Sequence, residues 1–93
     1  MRKDIRHEIE ARLYQYAQNE ATKAWQAIID AEYNKLSDQQ VQLFDMRYRE
    51  RKSEREICKS LHIERATYYR MITDIVQDIA LLAAYYRMIN LEV

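Results

Sequence analysis

Arg65, Ala66, Tyr69, Arg70 and Thr73 have the residue types and the spacing of a surface that reads DNA. Counted from Arg65 at 3.6 residues per turn, all of them fall on the outward side of one helix. Arginine can grip guanine with two parallel hydrogen bonds, and alanine can pack on a thymine methyl. Tyrosine and threonine hydroxyls can reach phosphates or base edges. Arg51, Lys52, Ser53, Arg55 and Thr67 are the expected phosphate contacts. Cations at a helix C-terminus also stabilise the helix dipole by about 0.3 to 1 kcal/mol each. For that reason Arg47, which ends the preceding helix, is expected to be half structural.

Two short helices must hold these groups. Ser53 and Glu56 form an S-x-x-E capping box, which predicts a helix start. Ile57 and Leu61 share the inner face of that helix, and Cys58 is the small residue where the pair crosses. Ile63 follows the turn, and Tyr68 and Met71 lie one turn apart on the inward side of the second helix. The spacing is that of a helix-turn-helix. An ordinary helical hairpin with a solvated charged face has the same pattern, so the motif alone does not establish DNA binding.

The run from Leu36 to Ile72 resembles the fourth-region helix-turn-helix of sigma-70 factors, and most of all the phage activators of the RinA and ArpU type. Phe44, Arg47 and Tyr48 match the end of the helix before the motif. Ser53, Glu56 and Ile57 match its first helix, and Ile63, Arg65, Thr67, Tyr69 and Arg70 match the start of its recognition helix. The chain departs from that pattern with His62 where the turn usually has glycine, and with Glu64 in place of a serine cap. Histidine tolerates the left-handed region better than most residues. Glutamate is a weak cap whose charge suits the helix start but repels phosphate. The resemblance implies a transcriptional regulator of phage or prophage late genes, acting at the nucleoid in the cytoplasm of a bacterial host.

Charge supports the same region independently. The chain balances at 15 basic and 15 acidic residues. Residues 47 to 70 nevertheless hold eight basic against four acidic residues, a local net of +4, while each flank is net −2. A basic centre between acidic flanks is the footprint of a groove-docking module. So small an excess would bind nonspecific DNA with a Kd on the order of 10⁻⁴ to 10⁻⁶ M, which favours a dimer.

Composition sets the fold class. With no glycine and no proline, and many strong helix formers, the chain is expected to be all-α. One domain is expected over 1–93, with a scaffold at 1–35, the helix-turn-helix core at 36–73 and an extension of the recognition helix at 74–93. In the scaffold, Ile5, Ile9, Leu13, Tyr16, Ala17, Ala24, Ala27, Ile28 and Ala31 trace a stripe at helical spacing. It fits one long helix or two that meet at Asn19, with Tyr14 and Trp25 packing beside the stripe. Ser37 and Gln40 form a second capping box, opening a helix through about Arg49 with Val41, Leu43, Phe44 and Tyr48 inside.

From Thr67 to Asn90 no helix breaker intervenes. Ile75, Ile79, Leu82, Tyr86 and Ile89 repeat at 3-4 spacing there, nearly a coiled-coil seam; the helix either folds back on residues 5 to 31 within one copy or pairs with a second copy, and a homodimer making both contacts is expected. The recognition helices of such a homodimer would address half-sites about one DNA turn, roughly 34 Å, apart.

Catalysis finds little support. His7 and His62 are far apart, Cys58 is single and placed on a packed face, no metal-ligand spacing occurs, and no glycine is present to build a phosphate loop. No enzyme activity, cofactor or metal is expected. Nor does any apolar run reach membrane-spanning length. The expected partners are double-stranded DNA, a second copy and RNA polymerase, the last through acidic faces around Asp38, Asp45, Asp74 and Asp78. The alternatives are a DNA-packaging adaptor of the small-terminase kind and a helical protein-interaction module that does not touch DNA.

Overall fold

Side-chain caps open three of the five α-helices among the described residues, and left-handed residues decide where most of the helices end. In the computed structural model, which describes residues 1–90, the chain is all-helical with no strand among the described residues. The helices are α1 (Lys3–Ala17), α2 (Lys23–Tyr33), α3 (Asp38–Phe44), α4 (Glu54–Leu61) and α5 (Arg65–Tyr85). A π-helical turn, Asp45–Arg49, continues α3. No helix among the described residues is long and apolar enough to cross a membrane.

The N-terminal third is two helices. Asn19 takes the left-handed conformation at φ 61°, and the Glu20 N–H closes on the Gln15 carbonyl at 2.8 Å, which ends α1. Thr22 then caps α2 through the Trp25 N–H. This break resets the helical phase. Ile5, Ile9, Leu13 and Ala17 are buried as expected, but in α2 the inner face is Trp25, Ile28, Ile29 and Glu32. Ala24, Ala27 and Ala31 lie exposed, contrary to the extrapolated stripe. Trp25 and Ile29 remove far more apolar surface from water than three alanines can.

Both expected capping boxes are formed. Gln40 N–H donates to Ser37 Oγ at 3.2 Å and Ser37 N–H to Gln40 Oε1 at 2.8 Å, with the same reciprocal pair at Ser53 and Glu56. The helix opened by Ser37 reaches Arg49, but its last turn widens, with Glu50 N–H bonded to the Asp45 carbonyl at 2.9 Å. That turn brings Tyr48 fully into the core against Phe44 and the edge of Tyr14. Arg51, at φ 54°, then turns the chain toward α4.

The long helix α5 is the central strut, packed on α1, α2 and α4 through Tyr68, Ile72, Ile75, Val76, Ile79, Ala80 and Ala83. It stops earlier than its apolar repeat suggests. Arg87 adopts φ 60°, and the Met88 N–H bonds the Ala83 carbonyl at 2.8 Å, a left-handed helix ending without glycine. Met88 and Ile89 therefore fold back against the core instead of continuing the helix to Asn90.

Glu32 is the one buried acid among the described residues, 5% exposed and facing Asp78 across the α2–α5 contact. Burial, then the hydrogen bond and repulsion from Asp78, push its carboxyl up to about 7, against a weaker pull from Lys35. The folded chain thus holds a proton that the unfolded chain releases at about 4.5. The stabilisation is complete below that value and is lost as pH rises through about 7. Thermal melts should show a higher Tm at pH 5 than at pH 8, and Glu32→Gln should flatten the difference. An equal pH response in both proteins would contradict the shared proton.

Candidate nucleic-acid interface

The α4–α5 pair is built by three connecting residues. His62 closes α4 in the left-handed conformation at φ 55° and ψ 46°, the position where a glycine was missing. The Ile63 N–H then bonds the Cys58 carbonyl at 3.1 Å, which satisfies the helix end. Glu64 stands before α5 without a side-chain cap bond, as a weak cap should. Ile57 and Tyr68, both fully buried, anchor the two helices inward. Cys58 is half-buried at this contact, its thiol pushed up by burial and by Glu54, which leaves it poorly suited as a nucleophile.

Outward, Arg65, Ala66, Tyr69 and Arg70 are exposed along the first turns of α5. Thr73 departs from the expected face: it is half-buried, and its Oγ1 accepts from Arg6 of α1 at 3.4 Å. A residue that sequence reasoning overlooked organises this face. Glu54, in the first turn of α4, accepts from Arg65 Nε at 2.8 Å through one carboxylate oxygen and from the Tyr69 hydroxyl at 2.6 Å through the other. The Arg65 guanidinium also lies 5.6 Å above the Tyr69 ring. Two of the expected base-reading groups are thus held in place by one acid of the neighbouring helix. The only sequence signal for this was an acid directly after the Ser53 cap.

The expected phosphate contacts fall into distinct groups. Arg55 is exposed with no ion pair among the described residues, and Arg51 is exposed with its guanidinium 5.3 Å above the Tyr14 ring. Lys52 pairs with Glu50 at 3.3 Å on the surface. Ser53 differs from expectation, because both its hydroxyl and its N–H are engaged by Glu56 in the capping box, leaving neither for phosphate. Thr67 is half-buried.

Arg47, expected to be half structural, is built into the interior. Its Nη2 lies 2.8 Å from Glu10 Oε2, its Nη1 donates to the Tyr68 hydroxyl at 2.6 Å, and the Tyr48 hydroxyl donates to the other Glu10 oxygen at 3.0 Å. Burial disfavours its charge, but Tyr48 and Glu10 more than offset this and hold its proton firmly. Arg49 likewise bonds Asp45 at 3.0 Å and lies over the rings of Tyr16 and Tyr33.

The expected fold-back of this helix on residues 5 to 31 is formed, and it occupies part of the seam assigned to a second copy. Ile75 and Ile79 are buried at 1% and 0% exposure, because α1 and α2 cover that face of α5, so these two cannot pair copies of the folded chain. Leu82 and Tyr86 instead line an apolar groove of about 460 Å³ with Ala24, Ala27 and Met88, and Tyr86 is exposed. Ile89 lies beyond the helix and packs on the core. No protein-family model, no curated protein and no solved structure matches this chain.

Proposed function

We propose that this protein is a sequence-specific DNA-binding transcriptional regulator that reads the major groove with the α5 face beginning at Arg65. The observation that carries this reading is the α4–α5 pair. It leaves Arg65, Ala66, Tyr69 and Arg70 outward, and the neighbouring α4 carries Arg55 and Lys59 exposed without an ion pair among the described residues. Control of phage or prophage late genes follows from the resemblance to the RinA and ArpU activators. The protein acts as a homodimer, joined through the apolar surface around Leu82, Tyr86 and the exposed Leu81 and Tyr85, since Ile75 and Ile79 are taken by the core. Contact with RNA polymerase falls to Asp38 and Asp74, which are exposed. Asp45 is engaged by Tyr33 and Arg49, and Asp78 by Glu32.

Selection of bound sequences from random duplex DNA with the purified protein tests both parts. A palindromic consensus with half-sites about 34 Å apart, or a multiple of that, is expected. Enrichment of an asymmetric site by a strictly monomeric protein at micromolar concentration would remove the dimer. Failure to enrich any sequence, with no salt-dependent duplex binding, would favour a module that contacts only protein.

A further inference from the structure

The sequence places its basic centre at residues 47 to 70 and counts the N-terminal flank as acidic. In three dimensions that count misleads, because the acids of α1 are neutralised one by one. Asp4 pairs with Arg2 at 3.1 Å, Glu8 with Arg12 at 3.6 Å, and Glu10 with Arg47 at 2.8 Å. Lys3 and Arg6 have no ion pair among the described residues. Both line an open pocket of about 690 Å³ together with His7, Tyr14 and Arg47, whose only acid, Glu10, is already held by Arg47 and Tyr48. A concave surface with free cations and a compensated acid is suited to an anionic ligand.

Its position names the anion. Arg6 hydrogen-bonds Thr73, so the pocket borders α5 one turn beyond Arg70. At its other end Tyr14 carries Arg51, which leads into the cations that precede α4. The segment of α5 from Arg65 to Thr73 rises about 12 Å, comparable to the roughly 12 Å width of the major groove. The first turn of α4, which carries Arg55, meets one end of this segment through the Glu54–Arg65 pair, and Arg6, which shares its pocket with Lys3, meets the other end at Thr73.

We infer that Lys3 and Arg6 of α1 form a second phosphate-contact site, gripping the DNA backbone on the far side of the groove from α4. This rests on the proposal that α5 reads DNA. It extends the protein's footprint to a helix outside the motif and divides the backbone contacts between two elements that α5 joins rigidly. Each neutralised phosphate releases counterions, so each free cation contributes to the salt dependence of binding regardless of sequence.

The test is fluorescence anisotropy of the full chain with a labelled 30-bp duplex of random sequence, titrated between 50 and 200 mM salt. For two lost contacts, Lys3→Ala/Arg6→Ala should make the slope of log K against log salt shallower by about 1.8. The loss of affinity across that range should therefore shrink by about tenfold. Arg6→Lys keeps the charge while altering the tie to Thr73, and should preserve the slope. Melting curves confirm that each variant is folded at the assay temperature. An unchanged slope in the double variant, while Arg55→Ala makes it shallower, would overturn the α1 site and leave the α5 reading standing. Equal loss in Arg6→Lys and Arg6→Ala would overturn it too, by making Arg6 a tie to Thr73 only. Absence of salt-dependent duplex binding by the unaltered protein would overturn both proposals together.

Discussion

Replacement of Arg47 by alanine is expected to destabilise the protein by about 3 kcal/mol, seen as a lower urea midpoint at unchanged m-value. Glu10 is the reason. Its side chain is only 14% exposed, and without Arg47 it keeps the Tyr48 hydroxyl as its one remaining partner in the network. Removing one member of a buried pair costs about 3 to 5 kcal/mol, because the other charge is left without compensation. The 25% exposure of the Arg47 side chain sets the lower end of that range. Tyr68 loses its hydroxyl partner in the same step, and cation–ring packing on Tyr48 and Tyr68 is lost as well. Against a total of about 5 to 14 kcal/mol for a chain of this length, that is a large fraction.

Arg47→Met combined with Glu10→Gln should recover much of the loss, since no unpaired charge then stays inside. That double variant, which leaves no uncompensated acid beside Lys3 and Arg6, should bind duplex DNA with the salt slope of the unaltered protein. A variant that melts normally but binds with a shallower slope would return Arg47 to the phosphate contacts.

Arg47 also shows what the sequence made legible. Its neighbours in the chain mark it as a helix-terminal cation, but its partners are Glu10 and Tyr68, 37 and 21 residues away. Features fixed within four or five residues could be read directly: the capping boxes at Ser37 and Ser53, the turn at His62, the weak cap at Glu64. Features fixed by tertiary contact could not. The stripe of α2 lost its phase across Asn19 to Thr22, because helical periodicity has no meaning through a break. The seam at Ile75 and Ile79 had a coiled-coil rhythm, yet a helix covered by neighbours on one broad face shows the same rhythm. The end of α5 depended on Arg87 entering a region that arginine seldom occupies, at a cost of roughly 1 to 2 kcal/mol. Among the residues expected to face the groove, the half-burial of Thr73 was illegible for a similar reason, since only the fold brings Arg6 beside it.

Under the DNA-reading proposal, Arg65→Ala and Arg70→Ala are each expected to lose about 1 to 3 kcal/mol on the selected site and to relax the preference at one base pair. The two arginines reach that result differently. Arg70 has no ion pair among the described residues, and reading a guanine would require it to order its own side chain. Arg65 is already ordered, because Glu54 holds its Nε and Tyr69 also engages its guanidinium, so gripping guanine O6 and N7 costs it less side-chain freedom. Glu54 therefore has two opposed effects on binding: its charge repels phosphate, and its carboxylate fixes Arg65 and Tyr69.

Glu54→Gln should separate these effects, strengthening binding to random duplexes while narrowing the gap between the selected site and its single-base variants. Measuring both affinities for all three proteins at one salt concentration is decisive. If Arg65→Ala and Arg70→Ala leave the base preference of the protein unchanged, the exposed face of α5 does not read sequence, and the assignment of these residues fails.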